Sequence, residues 1–249
     1  MEWEWEWESI AGPFSRLTEG PVWDGNRLLF THIPASRIMA YDPETSDCSV
    51  YRENTNHTNG LAFDVNGDLY GCCSGGRAIV RFEKDGSTTT IVDRLEGVRL
   101  NTPNDLAIDR QGRIWFSNPW NDINIDPSEK PEMEERDILR ADPQSDGSWI
   151  CRRMTYDVTG TNGLLISPDQ LNLYMIQTEA ELGGLRELRS YPILNDGSLG
   201  QYIVLHQFGN DYRGPQRGID GMCLDSEGNI IATAGSWGSG PGPMIYIWN

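Results

Sequence analysis

Five times along the chain, a short apolar run is followed by an acidic turn and a second apolar run. The copies are residues 22–30 (VWDGNRLLF), 61–70 (LAFDVNGDLY), 106–115 (LAIDRQGRIW), 165–174 (LISPDQLNLY, a looser copy) and 222–231 (MCLDSEGNII). Apolar runs this short, bounded by Asp, Asn and Gly, predict two strands joined by a tight turn. A third and a fourth strand follow in the first four units: 38–45 leads to 48–51, 79–86 to 89–92, 138–143 to 149–151 and 188–192 to 202–205. The fifth copy is followed by 244–248 (MIYIW), which reads as its third strand, and the sequence ends at Asn249. Four antiparallel strands per unit, at a spacing of roughly forty to sixty residues, describe the blades of an all-β propeller. Residues 1–249 therefore read as a single domain, with about five blades over 19–249. Trp3, Trp5 and Trp7 alternate with Glu2, Glu4, Glu6 and Glu8, a period of two that predicts an outer strand within 1–10. The acidic stretch 126–135 interrupts the third unit as a loop or one short turn.

Composition narrows the partners. Twenty Lys and Arg against 37 Asp and Glu leave a net charge of −17. Such a field repels nucleic acid and anionic membrane surfaces and attracts cations. No apolar run is long enough to span a membrane. The N-terminus lacks the basic and apolar regions of a signal peptide, so a cytoplasmic location is expected. The five cysteines have no zinc-type spacing and read as reduced thiols. There is no Gly-x-Ser-x-Gly, P-loop or His-Glu-x-x-His, and His32, His57 and His206 lack metal-ligand spacing. His57 is close enough to Asn59 in sequence to reach a rim pocket, and His32 suits a structural or rim role. The Gly-rich stretch 235–242 reads as a rim loop.

Propeller blades turn their first strands towards a central channel, so the residues leading into those strands form one rim. At that place stand Glu19 (EGPVW), Asn59 (TNGLAFD), Asn104 (PNDLAID), Asn162 (TNGLLIS) and Asp220 (IDGMCLD). Asn-Gly and Asp-Gly are also common hairpin turn pairs, which is the plain alternative for three of the five. Matched positions in every repeat favour a shared site, and oxygen-only donors of mixed charge suit a hard cation, above all Ca2+.

The motifs EGPVW, TNGLAFD, NTPNDLAIDRQGRIWFSNP, TNGLLISPD and IDGMCLDSEGNI, together and in order, resemble the gluconolactonase, regucalcin and senescence-marker-protein family from about Glu19 to the end of the chain. The resemblance implies a six-bladed propeller carrying one divalent cation, usually Ca2+, with Zn2+, Mn2+ or Mg2+ as alternatives. It implies hydrolysis of a small lactone, sugar-derived or related, as the activity and that lactone as the partner. It makes Glu19, Asn162 and Asp220 direct metal ligands. Asn104 matches a position that binds metal in some branches and substrate in others. Asn59, Arg99 and Asn101 match the substrate-contacting rim. Asn118 replaces an Asp common in the family, and Trp120 beside it forms part of the substrate wall. Asp220 then serves as general base or as nucleophile, and Asp105 as an orienting or structural residue.

Three further expectations go with the family. A more distant branch, which includes diisopropyl fluorophosphatase, cleaves phosphorus–fluorine bonds, so organophosphate hydrolysis is one alternative. A metal- or protein-binding propeller without turnover is another. Most of a sixth blade is missing from the 249 residues, so an open ring is expected, with low stability and self-association through its exposed edge.

Overall fold

The computed structural model describes residues 8–123, 125–179 and 182–249. The repeated Asp residues decide where strands turn. Asp64 Oδ1 accepts the amide N–H of Asn66 and of Asp68, both at 2.9 Å, and Gly67 takes a positive φ of 79°. Asp109 makes the same pair of bonds to Gln111 and Arg113, and Asp225 to Glu227 and Asn229. An Asp side chain that holds its own loop in this way closes the turn without help from packing. In the fourth unit Ser167 accepts the Asn172 N–H instead, and Gln170 takes the positive φ, 66°. That substitution is why the fourth copy is the loosest.

These turns build five antiparallel sheets in chain order. Blade one holds β1 (Thr18–Trp23), β2 (Leu28–His32), β3 (Arg37–Asp42) and β4 (Asp47–Glu53). Blade two holds β5 (Thr58–Phe63), β6 (Leu69–Cys73), β7 (Ala78–Phe82) and β8 (Thr88–Val92). A small hairpin, β9 (Arg94–Leu95) and β10 (Val98–Arg99), leads into blade three. Blade three holds β11 (Leu106–Ile108), β12 (Ile114–Ser117), β13 (Ile138–Pro143) and β14 (Trp149–Arg153). Blade four holds β15 (Thr161–Ile166), β16 (Asn172–Thr178), β17 (Arg186–Pro192) and β18 (Ile203–Gln207). A second hairpin, β19 (Asn210–Asp211) and β20 (Gly214–Pro215), leads into blade five. Blade five holds β21 (Ile219–Leu224), β22 (Ile230–Ala234) and β23 (Met244–Trp248).

The first strand of each blade is its innermost, and β1, β5, β11, β15 and β21 touch in that order. The core lies between blades. Leu29 and Ile38 of blade one pack on Leu61 and Leu69 of blade two. Ile79 packs with Leu106 and Phe116, Trp115 with Leu164 and Leu173, and Leu188 with Ile219 and Ile230. Each blade thus needs a neighbour to bury its faces, as stacked repeats do.

The five-blade count agrees with the repeats, and the sixth blade implied by the family resemblance is not among the described residues. Of the outer strand expected within 1–10, residues 1–7 lie outside the described residues, and 8–10 form no strand. The insertion between β12 and β13 has no strand or helix among its described residues. No helix among the described residues is long and apolar enough to cross a membrane.

Candidate metal and substrate site

Four innermost strands break register where the rim residues stand. The ladder shifts between Glu19 and Val22, Thr58 and Leu61, Thr161 and Leu164, and Ile219 and Met222. Asn59-Gly60, Asn162-Gly163 and Asp220-Gly221 are therefore bulges inside strands, not hairpin turns. A bulge sets two residues against one and re-aims a side chain out of the ladder. In blade three, Asn104 and Asp105 precede β11 and are held by Ser117, whose carbonyl accepts Asn104 N–H and whose N–H donates to Asp105 O.

Glycine after the rim residue lets the innermost strands close in. A Cβ at Gly20 would lie 2.6 Å from Asn59 O. At Gly60 it would lie 2.7 Å from Asp105 Oδ1, and at Gly163, 2.7 Å from Asp220 O. Gly60 N–H donates to Asn104 O at 2.8 Å. Thr31 Oγ1 sits 3.0 Å from both Glu19 O and Asn59 O, which ties the first two rim positions together.

The close approach brings charge together. Asn162 Nδ2 donates to Asp220 Oδ1 at 2.6 Å, across blades four and five. Asp220 Oδ2 is in contact with Arg217 Nη2. Asp105 accepts the N–H of Leu106 at 2.9 Å and of Leu164 at 3.3 Å, a bridge from blade three to blade four. Burial pushes the Glu19 carboxyl up to about 7, and Asp220 and Asp105 add to the rise, while Arg217 opposes it. Burial likewise raises Asp105 to about 6; its two backbone donors oppose the rise and Asp220 adds to it. Glu19, Asp105 and Asp220 thus share one electrostatic field, with Asn162 inside it.

The other expected residues fall differently. Asn59 occupies the bulge of β5 beside Gly60. Arg99 pairs with Glu129, Nη1 to Oε2 at 2.9 Å, and Arg77 Nη1 reaches the same oxygen at 2.7 Å. Asn101 is fully buried, and its Nδ2 donates to Glu135 O at 2.9 Å and to Asn118 O at 3.4 Å. The Trp120 ring lies over the Arg77 guanidinium, 5.2 Å from its centroid. Arg99, Asn101 and Trp120 therefore anchor the insertion of blade three, and Asn118 is buried beneath it, its Nδ2 3.7 Å from Met133 Sδ.

His57 Nδ1 is 2.9 Å from Ile33 O, so its ring ties two rim loops. His32 Nε2 is 3.2 Å from Ser15 Oγ. The Gly-rich loop connects β22 to β23 and borders a cavity of about 350 Å³ that also touches Arg217 and Asp220. Among the described residues no three His, Cys, Asp or Glu side chains are grouped as a metal site. Sequence reasoning missed Arg77, Glu129 and Arg217. Arg77 and Glu129 act through partners brought by the fold, 52 and 30 residues away, while Arg217 lies three residues before Asp220 in no motif that marks it.

Comparison with known proteins agrees with this fold. The family described as "SMP-30/Gluconolactonase/LRE-like region" matches residues 17–240. A gluconolactonase of Zymomonas mobilis is 28% identical over 236 residues, which cover 87% of this chain and 64% of that protein. The chain thus spans under two thirds of that relative's length. A solved gluconolactonase from Xanthomonas campestris superposes with a TM-score of 0.74 at 29% identity, over 92% of this chain and 72% of that one. A regucalcin from Agrobacterium tumefaciens, described as a calcium-binding protein, shares the fold at a TM-score of 0.65 and 16% identity, over 90% of this chain and 70% of that one. With a family match across most of its length and rim motifs in every blade, this chain belongs to the SMP-30/gluconolactonase/LRE-like family.

Proposed function

We propose that the chain hydrolyses a small lactone with the help of a divalent cation, Ca2+ first among the candidates. The observation that carries this is the single field shared by Glu19, Asp105 and Asp220, with Asn162 bonded to Asp220. Glu19 and Asp105, whose proton affinity is raised by burial and by the neighbouring Asp220 charge, lack a positive partner of matching charge. Glu19, Asn162 and Asp220, with Asn104 beside them, form an all-oxygen donor set that fits a hard cation. The Asn162 amide that donates its N–H to Asp220 keeps its own oxygen for such an ion.

When bound, a divalent cation polarises the lactone carbonyl and stabilises the developing oxyanion. The chain's own residues do the rest. Asp220 takes the proton of the attacking water as general base. Asn162 fixes the Asp220 carboxylate in one orientation, so the base needs no reorganisation during the reaction. Glu19 gives up its proton to serve the site as a carboxylate. Asn59 and Asn104 offer amide groups to the substrate's hydroxyls. The Zymomonas and Xanthomonas relatives, both gluconolactonases, support a sugar lactone as the substrate class.

The test is calcium titration calorimetry on the purified chain beside E19Q and D220N, followed by pH-stat hydrolysis of glucono-δ-lactone. Stoichiometric binding lost in both variants, with turnover down about 100-fold or more in D220N, is the expected result. A parent chain that binds no Ca2+ overturns the cation reading. Turnover that survives D220N removes Asp220 as the base.

A further inference from the structure

The charged groups that act on Glu19 are Asp220, Asp105 and Arg217. With all three carboxylates ionised, the cluster carries three negative charges and one positive. Arg217 is no remote surface charge. Its guanidinium contacts Asp220 Oδ2, while Asn162 holds the other oxygen of the same carboxylate. Its backbone is fixed as well: Arg217 O accepts Gly235 N–H at 3.1 Å, and Gln216 N–H donates to Gly209 O at 3.0 Å. The Arg217 side chain is 58% exposed, so its charge acts through a water-like medium, weakened but not abolished.

We propose that Arg217 biases this site towards divalent over trivalent ions. The net charge it leaves on the carboxylate cluster, minus two, is matched by a divalent cation. Without Arg217 the cluster carries one more negative charge, which favours a trivalent ion more than a divalent one. The inference rests on the cation site proposed above and concerns a residue outside the ligand set. A unit positive charge roughly 6 Å from a bound ion, in a medium as polar as water, weakens a divalent ion about tenfold and a trivalent ion about thirtyfold. Loss of that charge therefore strengthens both ions, the trivalent one about threefold more.

The experiment measures Tb3+ and Ca2+ affinities by calorimetry on the full chain and on R217K, R217Q and R217E, all at pH 7. The readout is the ratio of the two affinities, since competition from protons on the carboxylates is common to both ions and cancels. R217K keeps the wild-type ratio. R217Q raises the preference for Tb3+ about threefold and R217E raises it about ninefold. A ratio unchanged across the three variants, in a chain that binds both ions, overturns the role of Arg217 alone. A wild-type chain that binds neither ion overturns the cation site and this inference with it.

Discussion

Asn162 Nδ2 donates to Asp220 Oδ1 at 2.6 Å, and the two side chains stand on the innermost strands of adjacent blades. The bond therefore reports on blade four and blade five at once. N162A removes the donor and leaves Asp220 to Arg217 alone. A residue that orients a ligand carboxylate typically contributes 10–100-fold to metal affinity. Because N162A also removes the amide oxygen proposed as a ligand, we expect Ca2+ affinity to fall by at least that much, measured by calorimetry, with the melting temperature moving by only about 2 °C. A large fall in melting temperature at unchanged affinity would make the bond structural.

The rim glycines give a purely steric prediction. Gly60 and Gly163 have no positive φ, so strain of the backbone is not at issue. A methyl group at either would meet the next innermost strand at 2.7 Å. G60A and G163A should each lose about 1–3 kcal/mol, the usual cost of overpacking. At Gly221 no atom of the described residues lies within 4 Å of a new Cβ. G221A should stay within about 0.5 kcal/mol of the parent. Urea melts of the three variants compare them directly.

The fold was legible because its signals are local. Each Asp turn binds its own loop, so residues 64–68 and 109–113 specify their hairpins without knowledge of the rest. Spacing then counts the blades. The rim positions were legible because they recur at the same place in each repeat. Whether Asn-Gly marks a turn or a bulge was not legible, since both use the same dipeptide and only the partner strand decides. Arg99, Asn101 and Trp120 show a different limit. Their place in the rim motif was evident, but Glu129 and Glu135, far along an irregular insertion, occupy them. No local pattern links Arg77 to a carboxylate 52 residues away.

Asp211 supplies a pH prediction. Its carboxylate accepts the Arg213 N–H at 2.8 Å and the Gly240 N–H at 2.8 Å, which joins the β19–β20 hairpin to the Gly-rich loop. These donors, the Arg213 side chain first, lower the Asp211 carboxyl to about 2. A depressed carboxyl contributes stability that is complete above the unfolded value and lost as pH falls through the folded one. The clamp should therefore hold above about pH 4 and release towards pH 2. Hydrogen exchange at the Gly240 amide measures it: protection that declines across this window in the parent and is absent at every pH in D211A, which removes the acceptor.

The last prediction concerns the strap over the rim. Glu129 Oε2 bridges Arg77 and Arg99, and Arg77 is only 1% exposed. Arg77 Nε also donates to Leu100 O at 2.7 Å, but Nη2 is buried with no hydrogen-bond partner. A buried guanidinium that loses its nearer carboxylate keeps only the looser contact to Glu132 Oε1 at 3.9 Å and is left poorly compensated. E129Q should cost about 1–3 kcal/mol, below the range for a sealed pair because the Glu129 side chain is 27% exposed. R77M removes the buried charge together with its desolvation penalty. The double variant R77M/E129Q should then be more stable than E129Q alone, since an apolar side chain over Trp120 needs no partner. Proteolysis within 122–136 should rise in E129Q, because the strap loses its bridge to both arginines. If the double variant is less stable than E129Q, Arg77 contributes through its bond to Leu100 and its stacking on Trp120 and not through Glu129.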